Sequence, residues 1–135
     1  MDIARLGETQ LQIMRILWEK GQATAREVMN VLSQNAPVAE STVRTILSRL
    51  EKKGAVAHTV DDRTFIYRPL VQPESVRESA TRTFIDRMFD GSASGLISYV
   101  LRNERLSPHD IKRIRRQINE PADGTTTEDR GRKGK

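Results

Sequence analysis

The side chains best suited to contact a partner lie in the segment Glu40–Gly54, ESTVRTILSRLEKKG. At about 100° per residue, its polar residues share one helix face of hydroxyl and cationic groups. Such short hydrogen-bonding groups, with arginine and lysine at the margins, suit insertion into a DNA major groove. We expect this face to lack long acidic side chains, although an ordinary solvated helix would pair Glu with Lys at i,i+4. The alternative is such a solvated amphipathic helix with a mildly basic outer face. The predicted DNA contacts here are Ser41, Thr42, Arg44, Thr45 and Ser48 for bases or nearby phosphates, and Arg49, Lys52 and Lys53 for the backbone.

This segment is predicted to be the third of three helices. Its apolar residues recur at three- and four-residue spacing, which places them on one buried stripe. A first helix is predicted over Thr9–Lys20, with Thr9 as its N-cap and Gly21 at its end. The stripe of the third helix consists of Val43, Ile46, Leu47 and Leu50.

The second helix is predicted from a capping box formed by Thr24 and Glu27. It runs to about Gln34, because Pro37 disfavours helix just before it. Two helices, a proline-marked turn and a third helix with a polar outer face are typical of a helix-turn-helix, although other three-helix bundles share this spacing. The start of the second helix, near Thr24, is expected to bind a DNA phosphate.

Two short β-type runs follow the third helix directly. Ala55–Val60 and Thr64–Arg68 flank a turn at Asp61-Asp62-Arg63, which predicts a hairpin. A recognition-type helix followed by a hairpin is the winged-helix layout. We expect Arg63, at the tip of the wing, to touch phosphate or the minor groove, or alternatively to pair with one of the two aspartates of the turn.

The chain after residue 70 is predicted to be helical and to form a dimer. Helices are expected from Pro73, after Gly95, and from Ser107, which makes a capping box with Asp110. Such short helices cannot enclose large apolar side chains by themselves, so we expect burial against a second copy, or alternatively against the N-terminal unit. The predicted dimer interface is Val76, Phe84, Ile85, Met88, Phe89, Leu96, Ile97, Val100, Leu101, Ile111, Ile114 and Ile118.

These patterns predict a mainly α protein with a small β-hairpin wing. Residues 1–70 form a winged helix-turn-helix DNA-binding domain, residues 71–120 a three-helix dimerisation domain, and residues 121–135 a disordered tail. The net charge of +5 over 135 residues weakly favours an anionic partner. We expect a cytoplasmic protein without membrane insertion, because no signal-peptide or membrane-spanning pattern occurs.

Catalytic and metal-binding patterns are not found in the sequence. The chain contains no cysteine, which excludes thiol catalysis and thiolate metal sites. His58 and His109 are the only histidines, and neither belongs to a known metal-binding spacing. We therefore expect neither an enzyme nor a cofactor or metal.

Two long segments resemble one family of bacterial regulators. The run from Leu6 to Leu32 and the run from Ser41 to Pro69, with its TVRTILSRLEKKG pattern, are similar to the penicillinase-repressor (BlaI/MecI/CopY) family. The stretch Phe84–Gly91 extends this similarity toward residue 120. The resemblance implies a homodimeric winged-helix repressor that binds double-stranded operator DNA with inverted repeats, often with TACA/TGTA-like half-sites.

The resemblance also implies a means of release. In the best-known members, a membrane-bound sensor metalloprotease responds to an antibiotic and cuts the repressor in its dimerisation region. The matching bond here is Tyr99–Val100, where those members have Asn-Phe, so cleavage and a β-lactam signal both stay open. The copper-responsive branch uses cysteines that this chain lacks. Two other functions also stay open, a winged-helix protein-interaction module and a small-molecule-sensing regulator.

Overall fold

The computed structural model describes residues 6–120 and confirms the predicted fold class, mainly helical with one small antiparallel sheet. The chain divides into two compact units between Gly91 and Ser92. The predicted functional division at residue 70 stays a prediction, and the predicted tail, 121–135, lies outside the described residues. The elements are α1 Glu8–Lys20, β1 Ala23–Thr24, α2 Ala25–Leu32, α3 Glu40–Lys52, β2 Val56–Asp61, β3 Thr64–Pro69, α4 Pro73–Met88, α5 Ala93–Asn103 and α6 Pro108–Asn119.

The helix ends follow local capping chemistry. Helix α1 begins at Glu8, because the Gln10 side chain accepts a hydrogen bond from the Gly7 amide at 2.9 Å, so the prediction of Thr9 as N-cap was wrong. The capping box of α2 is confirmed: the Thr24 hydroxyl accepts from the Glu27 amide at 3.1 Å, and the Glu27 carboxylate accepts from the Thr24 amide at 2.8 Å. The predicted box at Ser107, the start of α6, is confirmed as well.

The hairpin is confirmed, and it gains a third strand that the sequence pattern did not predict. The sheet order is β1-β3-β2, with Ala23 opposite Tyr67. The turn between β2 and β3 has two residues, Asp62 and Arg63, with φ of 52° and 69°. Positive φ at both central positions is the geometry of a type I′ turn, whose twist matches that of the paired strands. Asp61 belongs to β2 and not to the turn as predicted.

One hydrophobic core fixes α3 against the rest of the winged-helix unit. Val43, Leu47 and Leu50 are fully buried, while Ile46 is only partly buried, so most of the predicted stripe is confirmed. At roughly 1.5–3 kcal/mol per fully buried aliphatic side chain, this stripe determines which face of α3 turns outward. The indole N–H of Trp18, in α1, donates to the carbonyl oxygen of Val71 at 2.8 Å and so ties α1 to the segment before α4.

Candidate nucleic-acid interface

The outer face of α3 presents the side chains that the sequence assigned to it. Ser41, Thr42, Arg44, Thr45, Ser48, Arg49 and Lys52 are all exposed. The Thr45 hydroxyl donates to the Ser41 carbonyl at 3.1 Å, within the helix. Lys53 differs, since it is half-buried and its ammonium donates to the Gln10 side chain at 3.1 Å.

An acidic side chain does lie on this face, so the expectation of a face without long acids was wrong. The Glu40 carboxylate forms an i,i+4 ion pair with Arg44. Its other oxygen accepts from Nε of Arg26, in α2, at 3.3 Å. Glu40 occupies the first turn of α3, where a negative charge is favoured by the helix dipole. The three side chains therefore link the starts of α2 and α3.

A groove of about 690 Å³ lies between the starts of α2 and α3 and the wing. Three of the predicted DNA contacts line it, namely Thr24, Arg44 and Arg63. The remaining predicted contacts lie outside its lining, on α3 or, for Lys53, directly after it. Three arginines face one glutamate, so the groove carries an excess of positive charge. Its full lining is Thr24, Ala25, Arg26, Glu40, Arg44, Arg63, Thr64, Phe65 and Tyr67.

Arg63 stands at the exposed tip of the wing, in a backbone conformation that non-glycine residues rarely adopt. Among the ion pairs of the described residues, none joins Arg63 to Asp61 or Asp62, so the alternative of a turn cation paired with these residues finds no support.

A side-chain cluster joins the wing to α3. Nδ1 of His58, in β2, lies 2.8 Å and 2.9 Å from the two carboxylate oxygens of Glu51. The His58 ring also stacks on Phe65 of β3, with centroids 3.9 Å apart and planes 7° apart. Tyr67 completes the cluster, and its burial raises the pKa of its phenol, helped by Glu51 and opposed by Arg44. The wing is thereby held in a defined position relative to α3.

Arg26, Glu40 and His58 are among the residues of this site that sequence reasoning did not assign to it. Arg26 could have been found, because a cation in the first turn of a helix opposes the helix dipole and indicates a nearby anion. Glu40 and Arg44 stand four residues apart, the spacing of helix ion pairs. The contact between His58 and Glu51 had no such signal, since it depends on the strand folding back onto α3.

The predicted dimer residues divide by exposure. Val76 and Ile85 are already buried within the chain, and Phe89, Leu96, Val100 and Ile114 are half-buried. Helices α5 and α6 contain no buried residue. The exposed members are Phe84, Met88, Ile97, Leu101, Ile111 and Ile118.

The bond between Tyr99 and Val100 lies inside helix α5, three residues before the helix ends at Asn103. The Tyr99 carbonyl also accepts a hydrogen bond from the Asn103 side chain at 2.9 Å. A protease binds its substrate in an extended form, so cleavage here requires that the end of α5 unwinds. In residues 6–120, no helix is long and apolar enough to cross a membrane.

Comparison with known proteins gives consistent similarities. Residues 6–120 match the family model described as penicillinase repressor. The chain is 28% identical over 112 residues to the penicillinase repressor of Bacillus licheniformis, covering 83% of this chain and 88% of that protein. It is 25% identical over 114 residues to the methicillin resistance regulatory protein MecI of Staphylococcus aureus, covering 84% and 93%. The solution structure of the DNA binding domain of the repressor BlaI aligns with 53% of this chain and 88% of that chain, at 30% identity and a TM-score of 0.48.

Proposed function

Because this chain belongs to the penicillinase repressor family, we propose that it is a homodimeric transcriptional repressor of inverted-repeat operator DNA. The observation that carries this proposal is the groove in which arginines of α2, α3 and the wing converge beside the hydroxyl-rich face of α3. Such a groove fits a phosphate backbone, and the adjoining helix face fits the major groove.

Each protomer inserts α3 into a major groove. Ser41, Thr42, Thr45 and Ser48 permit a close approach to base edges, and Arg44 supplies a guanidinium that can bind guanine in a bidentate manner. Arg49, Lys52 and Lys53 bind the backbone, Lys53 after it leaves Gln10. The start of α2, near Thr24, adds a contact with a backbone phosphate through the positive end of its helix dipole.

The second copy binds through the helices after residue 70. Their exposed apolar side chains, including Met88 at 65% and Ile118 at 74% exposure, are an unfavourable surface for a monomer in water. Burying them between two protomers fixes the distance between two copies of α3. A twofold dimer then selects half-sites about one helical turn, roughly 34–36 Å, or slightly more apart.

Release follows from any event that separates the protomers, because one half-site alone binds weakly. Cleavage of Tyr99–Val100 by a membrane-bound sensor metalloprotease is one such event, and it requires local unwinding of α5. We infer that the bound dimer represses by occupying a promoter and excluding the transcription machinery.

The test is an in vitro selection of random duplex DNA at near-physiological salt, with the wild-type protein and two variants. We expect the wild type to enrich an inverted repeat, Arg44→Ala to enrich it less sharply, and Arg77→Ala to behave as the wild type. Arg77 is the matched control, since it is an exposed arginine paired with Glu74 on α4. If no sequence is enriched and salt removes all binding, the repressor proposal is wrong and a protein-docking function takes its place.

A further inference from the structure

Glu40 lies in a groove that is proposed to bind DNA, where a negative charge opposes binding, so its presence there requires an explanation. Its side chain is only 22% exposed, whereas those of Arg26 and Arg44 are 74% and 63% exposed. Glu40 is thus far more shielded from solvent than the two arginines that it contacts. Each of its oxygens serves one arginine.

The two ion pairs of Glu40 contribute little to the stability of the fold. Exposed ion pairs typically contribute between zero and about 1 kcal/mol, and ordering two arginine side chains opposes that gain. A carboxylate within a few ångströms of a DNA backbone also repels every duplex, whatever its sequence. Glu40 therefore weakens the general attraction to DNA. A compensating effect on binding must come through the two arginines that it contacts, Arg26 and Arg44.

The benefit lies in the donors that Glu40 leaves available. A guanidinium has five N–H groups, and the Arg44 ion pair runs through Nη2. Enough donors remain for a bidentate contact with guanine, which uses two. An arginine already held in position loses less conformational entropy when it binds, so its contact discriminates more sharply between bases.

We propose that Glu40 is a positioning residue for sequence discrimination. It holds Arg44 for a base contact and, through Arg26, fixes the start of α2 against the start of α3. At the same time its negative charge lowers the affinity for all duplexes. Only a duplex that presents a base matching Arg44 offsets this lower affinity through the base contact. This proposal rests on the proposed function of sequence-specific DNA binding.

The experiment compares Glu40→Gln with Glu74→Gln in the full-length protein. Both substitutions remove one negative charge, and they break two ion pairs to arginine at Glu40 and one at Glu74. Glu74 lies on α4, outside the groove lining. Dissociation constants are measured for the selected inverted repeat and for a scrambled duplex of the same length, at two salt concentrations. Thermal unfolding of each variant is followed in parallel.

We expect Glu40→Gln to bind the scrambled duplex more tightly than the wild type, without a matching gain on the inverted repeat. The ratio of the two affinities should fall at least about fivefold, as for the loss of a good base contact. Glu74→Gln should keep the wild-type ratio. Glu40→Asp, which keeps the charge but draws it back by one methylene, should lose affinity for the inverted repeat and gain none for the scrambled duplex.

An unchanged affinity ratio in Glu40→Gln would overturn the proposal. If both affinities fall equally and the unfolding temperature falls with them, Glu40 is a purely structural link. A wild-type protein with no preference for any duplex would instead refute the proposed function, and this proposal with it.

Discussion

The wing tip offers a substitution in which folding and DNA binding should change in different directions. Arg63 has a φ of 69° at the second position of the two-residue turn. An L-residue in the left-handed region costs about 1–2 kcal/mol, which glycine avoids. Glycine in turn loses about 0.5–1 kcal/mol more through the entropy of the unfolded chain. The free energy of unfolding of Arg63→Gly should therefore equal that of the wild type or exceed it by up to about 1.5 kcal/mol.

DNA binding should weaken in the same variant. Each phosphate contact contributes about 0.9 to the slope of log affinity against log salt concentration. A dimer has two wings, so we expect Arg63→Gly to lower the magnitude of this slope by about 2 on a full inverted repeat. The assays are urea unfolding at equilibrium and fluorescence anisotropy with labelled duplex over a range of salt.

Asp62→Gly is the matched control, because Asp62 occupies the same turn with a φ of 52°. It should relieve similar backbone strain and remove a negative charge from the tip, so DNA binding should stay equal or tighten. The reasoning fails if Arg63→Gly keeps the wild-type salt slope, which would show that Arg63 does not reach the backbone. It also fails if either glycine variant is clearly less stable than the wild type.

Three further predictions concern the helices and the wing. Arg44→Ala should lose about 1–3 kcal/mol of binding free energy for the inverted repeat, and titrations against operators altered one base at a time should show a relaxed preference at one position. An equal loss on all duplexes would show that Arg44 contacts only phosphate. Phe84→Asp should be monomeric in analytical ultracentrifugation and should lose operator binding, because it would bury a charge at the proposed interface, whereas Phe84→Leu should stay dimeric. An aspartate variant that stays dimeric would place the interface elsewhere. Because burial raises the pKa of Tyr67, its contribution to the free energy of unfolding is fully present below pH about 10 and is lost as the pH rises through the folded-state pKa. Chemical denaturation of Tyr67→Phe should lack this decline, and a profile identical to that of the wild type would show that Tyr67 does not titrate with folding.

Local chemistry made some of the fold predictable from the sequence. The capping boxes at Thr24 and Ser107 involve residues three positions apart, so their pattern is visible in the sequence itself. The stripe of α3 was predictable for the same reason, since helix periodicity needs no tertiary information. Strand β1 was not, because it has two residues and exists only through pairing with β3.

The site was predictable as a surface but not as a set of contacts. The exposed hydroxyls and cations of α3 followed from periodicity alone. The ion pair between Arg26 and Glu40 joins residues fourteen positions apart on two helices, and it depends on the angle that the turn imposes. The Glu51–His58 contact likewise needs the wing to lie against α3. Such contacts decide how the cations are oriented, and they emerge only once the chain is folded.

The hydrogen bond from Trp18 to the Val71 carbonyl has a practical consequence. Trp18 is the only tryptophan in the chain, so its emission comes from a single place, where α1 meets the segment that leads into α4. Indole emission shifts in wavelength when the ring gains or loses contact with water or a hydrogen-bond acceptor. The protein thus carries an intrinsic optical probe of this joint. If the proposed operator binding or the proposed separation of protomers changes the segment before α4, this emission reports it in unlabelled protein.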